Sequence, residues 1–286
     1  MKPVLSSVGK ILWLIFIPSY LLLTSFIAIN NIILKLGLYF ISVIFIFIYL
    51  RRKNPDIIQE KQRPSIKEFF LIILLIWVIG FISINLSIIT DRFYPVPTSD
   101  INSLSNGELF YLTVLVAPVI EEIFFRGLIF QRMLPFGIGF AFLFNSVIFA
   151  LSHIYLTSMF SAIFVGLILS YSAFRYGIQW SIIFHALNNA LIVLILFISR
   201  HDITIFVDDG INITAAMLIT LILVIIAVLG IIYFMIMGIK HRTVIKNLWV
   251  QYRPQSGQWL EIFKNPWLMS YIIVLLIWSI STFFDP

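Results

Sequence analysis

The stretch APVIEEIFFRG, residues 117–127, places two carboxylates and an arginine inside an apolar run that is long enough to cross a bilayer. No other apolar run of that length in the sequence contains an acidic residue. A charge near the membrane centre costs at least about 2.5 to 3.5 kcal/mol on insertion scales, so such charges are paired, hydrated or functional. Glu122 and Arg126 are four residues apart, share a helical face and are predicted to pair. Glu121 points roughly 100° away from Glu122 and needs a different partner.

Composition indicates a polytopic membrane protein. Of the 286 residues, 61% are hydrophobic and 11% are charged, with a mean hydropathy of +1.05, whereas soluble domains carry about 25% charged residues. The net charge of +6 comes from Lys and Arg in short polar segments beside apolar runs, a pattern typical of membrane topology signals. We therefore predict a lipid bilayer as the surroundings and no nucleic-acid partner. The sequence has no cysteine, which excludes disulfides and thiolate metal sites.

The apolar runs predict an all-α bundle of about eight to nine transmembrane helices. Most of them reach the roughly 17 to 25 residues that a spanning helix needs. The first run is expected to be a retained helix and not a signal peptide, because it is long and lacks a small-residue cleavage site. The runs are 11–29, 32–50, 69–90, 109–133, 138–155, 158–175, 178–199, 213–238 and 266–283.

The distribution of Lys and Arg predicts the orientation of the bundle. With a cytoplasmic N-terminus, the polar segments on the inside hold fifteen of these residues and those on the outside hold only Lys35, Arg92 and Arg200. Cytoplasmic loops carry the excess of positive charge in membrane proteins. We therefore predict a multi-pass protein of the cell membrane with its N-terminus inside.

Two of the four histidines lie within apolar runs and are the candidate partners of the acidic pair. Phe149 and His153 are four residues apart, as are His185 and Asn189, so each pair shares one helical face. A single buried histidine is more often a core residue than a ligand. Two of them, in runs that follow the only intramembrane acids, favour a common site.

Helical rise places Glu121 and His153 at a similar depth but separates His185 from them. At 1.5 Å per residue, Glu121 and His153 lie roughly 21 Å and 27 Å from the turn near residue 135, whereas His185 lies roughly 12 Å from the turn near residue 176. Either the hairpins differ in tilt and depth, or one histidine lies outside the site. We predict that both imidazoles face Glu121 within about 6 Å.

Three motifs in this order resemble a known family, the type II CAAX prenyl endopeptidases and the related bacterial CAAX-protease and bacteriocin-processing (CPBP) enzymes. The family pattern is E-E-x-x-x-R, then F-x-x-x-H, then H-x-x-x-N or H-x-x-x-D, and it falls here at 121–126, 149–153 and 185–189. The resemblance covers about residues 109 to 195. It implies an intramembrane endopeptidase in which the first glutamate and the histidine of the second motif activate a water. The His and Asn of the third motif would then hold the developing oxyanion.

The resemblance also suggests a division of the chain. Residues 1–108 would form N-terminal membrane helices, residues 109–199 the catalytic core, and residues 200–286 C-terminal membrane helices. The substrate is expected to be a membrane-associated or lipidated peptide or protein, because the acidic pair lies within the bilayer and no soluble recognition domain is predicted.

Two versions of the chemistry stay open at this point. In the first, Glu121 and His153 activate the water, and Arg126 keeps Glu122 ionised and fixed. In the second, Glu121, His153 and His185 bind a divalent metal such as zinc, since two His and one Glu form a known catalytic zinc ligand set.

Two functions other than proteolysis are also compatible with the motifs. The first is an ion- or proton-coupled transporter, because intramembrane acids mark transport pathways too. The sequence shows neither duplicated halves nor paired broken helices, the features typical of secondary transporters. The second is a catalytically idle scaffold or immunity protein of the same fold. A separate question concerns the polar segment 239–265, whose basic and aromatic residues are compatible with an interfacial helix on the inner leaflet or with a solvated loop.

Overall fold

The computed structural model describes residues 1–25, 48, 61–90, 105–153, 156–201, 204–208 and 211–281. The apolar run predicted at 32–50 therefore lies, except for residue 48, outside the described residues. The described helices are α1 Lys2–Ser25, α2 Ile66–Thr90, α3 106–136, α4 Ile138–Leu151, α5 Leu156–Tyr176, α6 Ile178–His201, α7 Ala215–Lys240, α8 Arg242–Tyr252, α9 Ser256–Phe263 and α10 Pro266–Ser281.

The predicted all-α class is confirmed for the described residues, apart from one small hairpin that the sequence analysis did not foresee. Strand β1, Thr204–Asp208, pairs antiparallel with β2, Ile211–Thr214, between α6 and α7. The hairpin follows the predicted run 178–199 and includes the first two residues of the predicted run 213–238. It leaves the helical bundle as the architecture that positions the motifs.

The predicted count of eight to nine spans is not confirmed. Four described helices are long and apolar enough to cross a bilayer by length and composition, namely α2, α5, α6 and α7, and the bent pair of α9 and α10 raises that number to five. This pair is bent by 78°. Four predicted runs are not counted. The run 32–50 lies almost wholly, and the run 11–29 partly, outside the described residues; α4 has only 14 residues, and α3 is divided into short pieces of different helical type.

Helix α3 carries the acidic pair and changes its hydrogen-bonding pattern along its length. It begins with a capping box in which Ser105 and Glu108 bond reciprocally, and these hydrogen bonds hold the pKa of Glu108 below its ordinary value. The backbone stays helical from one piece to the next. The pieces are α-helical at Asn106–Phe110, Ala117–Glu122 and Gln131–Met133, π-helical at Tyr111–Val116 and Ile123–Phe130, and 3-10 at Leu134–Phe136.

Pro118 explains why one carbonyl of the first π segment needs an outside partner. The Ala117 N–H donates to Leu112 O, which is the i→i−5 bond of a π-helix. In that pattern the donor to Thr113 O would be residue 118, but proline has no N–H. The Thr113 carbonyl is therefore left for a side chain from another helix.

Two apolar clusters hold the bundle together around α3 and α6. The larger cluster joins α1, α3, α4, α5, α9 and α10, and the smaller one joins α2, α5 and α6. Between α4 and α5, the buried Asn145 Nδ2 donates to Ser170 Oγ at 2.9 Å, the kind of polar contact that links membrane helices. The fully or nearly fully buried aromatic members of the two clusters are Phe130, Phe140, Phe144, Phe149, Tyr176 and Phe184.

The crossing of α1 and α10 depends on the absence of a side chain at Gly9. A Cβ there would lie 2.7 Å from Trp267 Cβ and 2.9 Å from the Leu268 nitrogen. We expect Gly9→Ala to force the two helices apart and to lower the free energy of unfolding by about 1 to 3 kcal/mol, measured by thermal unfolding in detergent. Gly80→Ala is the matched control, since nothing lies within 4 Å of a Cβ at that helical position. Equal stability of the two variants would contradict the predicted clash.

Candidate active site

Glu122 is fully buried and held by three side chains. Its Oε1 accepts hydrogen bonds from Arg126 Nη1 and from His185 Nδ1, both at 2.8 Å, and its Oε2 accepts one from Ser181 Oγ. The predicted pair of Glu122 and Arg126 is therefore present. A buried ion pair is tolerated when additional hydrogen bonds satisfy its remaining polar atoms, and here α6 supplies two of them. Glu122 is thus a fixed structural carboxylate.

Arg126 connects α3 with two neighbouring helices. It is fully buried, and its Nη2 donates to the Gly166 carbonyl of α5 at 3.2 Å. Its guanidinium lies 4.2 Å from the centroid of the Phe149 ring on α4, a distance suited to a cation–π contact. The arginine therefore fixes the position of the acidic pair relative to α4 and α5.

Glu121 differs from Glu122 in being available. Its side chain is 31% exposed, although its Oε2 is itself buried, and this oxygen lies 3.9 Å from His185 Nε2. That oxygen has no hydrogen-bond partner among the described residues. The separation exceeds a hydrogen bond, but it is shorter than two hydrogen bonds placed end to end. His185 is thus the neighbour of Glu121 that the sequence analysis sought.

The depth difference expected for His185 is absent. This nearly buried residue reaches Glu122 with one ring nitrogen and faces Glu121 with the other. His185 therefore lies beside both carboxylates, whereas no ion pair or hydrogen bond joins His153 to Glu121 in the described residues. The rise calculation treated every span as a straight α-helix, whereas α3 contains two π segments.

His153 does not contact the carboxylates directly, but its ring and that of His185 both pack against the Phe149 ring. It follows the end of α4, and its Nδ1 lies 2.9 Å from the Phe149 carbonyl. Since a carbonyl only accepts, Nδ1 donates and Nε2 is left for a ligand. The Phe149 ring lies 4.7 Å from the His153 ring and 5.9 Å from the His185 ring. These contacts of His153 go to Phe149 and not to Glu121.

Asn189 bonds to the Thr113 carbonyl, which has no backbone donor because residue 118 is a proline. Its Nδ2 donates to Thr113 O at 2.9 Å, and its Oδ1 accepts from Asn188 Nδ2 at 3.1 Å. One hydrogen of the Asn189 amide is therefore engaged between α6 and α3, and the second can serve another acceptor.

A comparison with known families matches the part of the chain that contains this group. The model of a family described as type II CAAX prenyl endopeptidase, Rce1-like, matches residues 106–191. The resemblance to the CAAX proteases is confirmed. The matched Rce1-like segment holds all three motifs, and together with the apolar helices it supports an integral membrane protein and a CAAX-type intramembrane endopeptidase in general. It covers less than a third of the chain. No curated protein and no solved structure matches the chain significantly.

The zinc alternative does not fit the Rce1-like segment as it is arranged. In the described part of the chain, no group of three His, Asp or Glu side chains is placed to hold a metal ion. His185 Nε2 and Glu121 Oε2 face each other at 3.9 Å, but the contacts of the third residue, His153, go to Phe149. The ligand set of Glu121, His153 and His185 is therefore not assembled.

Ser181 is a member of the Rce1-like segment that the sequence analysis missed. It is fully buried on α6, one helical turn before His185, and donates to the second oxygen of Glu122. Its Oγ also lies 3.0 Å from the Leu169 carbonyl. The signal available in the sequence was its i, i+4 spacing from a histidine, which is weak because serine is common in membrane helices.

We expect Ser181→Ala to leave Glu122 Oε2 without its donor and to lower the free energy of unfolding by about 1.5 to 3 kcal/mol, because the bond is to a charged group. Ser172→Ala is the matched control, since Ser172 is equally buried but bonds only to the Ile168 carbonyl of its own helix. Thermal unfolding of both variants in detergent measures the difference. A loss at Ser172 equal to that at Ser181 would argue against a role in holding Glu122.

Proposed function

We propose that the protein is an intramembrane endopeptidase that hydrolyses a peptide bond in a membrane-associated or lipidated peptide or protein. The observation that carries this proposal is the different state of the two adjacent carboxylates. Glu122 is buried and bonded on both oxygens, whereas Glu121 is partly exposed and faces an imidazole. Hydrolysis needs one free base beside fixed polar groups, and this arrangement provides it.

Glu121 is the base in this proposal. Its Oε2 and His185 Nε2 are 3.9 Å apart, and one water that enters between them can bond to both atoms. Glu121 takes the proton of that water as the oxygen attacks the carbonyl carbon, and then passes it to the leaving amine. His153, through its open Nε2, assists in holding the water or the leaving group.

His185 and Asn189 stabilise the oxyanion of the tetrahedral intermediate. Glu122 fixes the ring of His185 through Nδ1, so Nε2 is the atom that donates to the developing charge. The second amide hydrogen of Asn189 is the other donor. Loss of one oxyanion donor typically costs about 2.7 to 4 kcal/mol in the barrier. Glu122, Arg126 and Ser181 act through His185 and Glu121 and do not touch the substrate.

The location of the site limits the substrate. Glu121 and His185 lie on helices of a membrane bundle, so the scissile bond must enter from the bilayer or its boundary. We also propose that the protein lies in the cell membrane with its N-terminus in the cytoplasm. Because the sequence has no cysteine, single cysteines placed in the polar segments can report the orientation by their access to a membrane-impermeant reagent.

Mass spectrometry of membrane peptides tests the proposed activity. Membranes that contain the wild-type chain are compared with membranes that contain Glu121→Gln. We expect peptides and shortened membrane proteins that occur only with the wild type. Identical peptide sets at equal protein levels would count against hydrolysis.

Reconstituted vesicles separate the endopeptidase from a transporter. We expect no proton or ion flux that depends on Glu121, while a peptide found in the membrane comparison is cut. A flux that requires Glu121 without any peptide cleavage would refute the proposal.

A further inference from the structure

Helix α8 presents an apolar face that the described chain does not cover. Five of its six apolar residues, all except Val250, recur at i, i+1, i+4, i+5 and i+8, a spacing that places them on one side of a helix. These side chains are between 39% and 59% exposed, and the structure buries no residue of α8. They are Val244, Ile245, Leu248, Trp249 and Tyr252.

Positive charge borders this face. Arg242 and Lys246 lie one turn apart beside the apolar side of α8, and Lys240 and Arg253 flank its two ends. The sequence has no acidic residue from 211 to 260. A short helix with an apolar face, an aromatic residue on that face and a cationic border is typical of segments that lie in the membrane interface.

The preceding helix sets the level of α8 in the membrane. The apolar part of α7 runs over 24 residues, Met217–Lys240, or roughly 36 Å at 1.5 Å per residue. This exceeds the roughly 30 Å of the hydrocarbon core, so Lys240 lies at the edge of the bilayer. Helix α8 begins two residues later and therefore starts at the headgroups.

The end of α8 is held against the bundle. A Cβ on Gly139 would overlap the Tyr252 carbonyl, so α8 approaches the start of α4 backbone to backbone. Gln258 Nε2 of α9 donates to the Phe136 carbonyl at the end of α3. These two contacts fix the C-terminal end of α8 at the turn that follows the helix carrying Glu121.

We propose that α8 is a docking surface for anionic phospholipids, lying flat in the leaflet in which α7 ends, with its apolar face in the acyl region and its cations on the headgroup phosphates. Near an anionic surface each Lys or Arg contributes about a fivefold preference. The lipid binds outside the candidate active site, and the inference does not depend on the proposed hydrolysis.

Adjacent labels on the full chain test the orientation of α8. The chain has no native cysteine, so Leu248→Cys on the apolar face and Asn247→Cys on the polar face each give one nitroxide position. In vesicles of phosphatidylcholine and phosphatidylglycerol, we expect the label at 248 to collide with oxygen and the label at 247 with a water-soluble nickel reagent. Equal access to the nickel reagent would mean a solvated segment. Protection of the label at 248 from both reagents would mean a protein cover, such as a second copy. Either result overturns the proposal.

The headgroup preference is tested by energy transfer from a fluorophore at Asn247→Cys to fluorescent phosphatidylglycerol or phosphatidylcholine. In the wild type, we expect more energy transfer to phosphatidylglycerol than to phosphatidylcholine. In Arg242→Gln/Lys246→Gln, the enrichment of phosphatidylglycerol near α8 should fall by up to about thirtyfold. Added salt should weaken the enrichment. Arg63→Gln/Lys67→Gln changes the net charge equally but lies outside α8, and it should keep the enrichment. No preference in the wild type, or the same loss in both double variants, overturns the proposal.

Discussion

Glu121→Gln is expected to reduce peptide hydrolysis by about a hundred- to ten-thousandfold, the contribution typical of a positioned general base. The amide has nearly the same shape as the carboxylate but cannot take a proton from water. Since Glu121 Oε2 makes no hydrogen bond within the described residues, the variant should keep the thermal stability of the wild type. Cleavage of an identified peptide and thermal unfolding, measured on the same preparation, check both parts.

Glu122→Gln is the control that the adjacent carboxylate offers. It removes the negative charge of the carboxylate to which Arg126 and His185 both donate, so both the thermal stability and the rate of hydrolysis should fall. If Glu121→Gln lowers the thermal stability as much as Glu122→Gln does, or if it cleaves the peptide normally, the proposed roles of the two carboxylates are wrong.

Arg126→Ala is expected to lower the free energy of unfolding by about 3 to 5 kcal/mol, because it leaves the buried Glu122 without its cation. It also removes the contacts to Gly166 and to the Phe149 ring. Arg132→Ala is the matched control on the same helix, since Arg132 is only partly buried and bonds to the Leu128 carbonyl. Thermal unfolding in detergent measures the two losses.

A double variant separates the buried charge from the shape of the side chains. Glu122→Leu/Arg126→Met replaces the ion pair by apolar groups, which is often neutral for stability in other proteins. We expect it to be more stable than Arg126→Ala but inactive, because His185 loses its anchor. A double variant as unstable as Arg126→Ala would place the loss in packing and not in the uncompensated carboxylate.

The sequence was sufficient for features that depend on local spacing. The pairing of Glu122 with Arg126 follows from their i, i+4 separation, and the boundaries of α5 and α6 lie within a few residues of the predicted runs. These features can be predicted because they depend on the geometry of a single helix and on the high free-energy cost of an unpaired charge in a membrane.

The sequence could not predict features that depend on how helices pack against one another. The level of His185 relative to Glu121 depends on helix tilt and on the π segments of α3, and neither follows from the hydrophobic pattern. The Ser181 contact to Glu122 and the Asn189 contact to Thr113 join helices that are far apart in sequence.

The three hydrogen bonds between α6 and α3 constrain how a substrate can enter. Ser181 and His185 hold Glu122, and about one helical turn further along α6 Asn189 holds the Thr113 carbonyl. Because these bonds lie at two positions along the helices, they oppose both a hinge movement and a sliding movement, and we expect α3 and α6 to move together. Parting them would also leave a buried carboxylate without two of its donors, which is costly. For the proposed hydrolysis, we therefore expect a peptide to enter between other helices of the bundle, with α3 and α6 as the fixed side of the site.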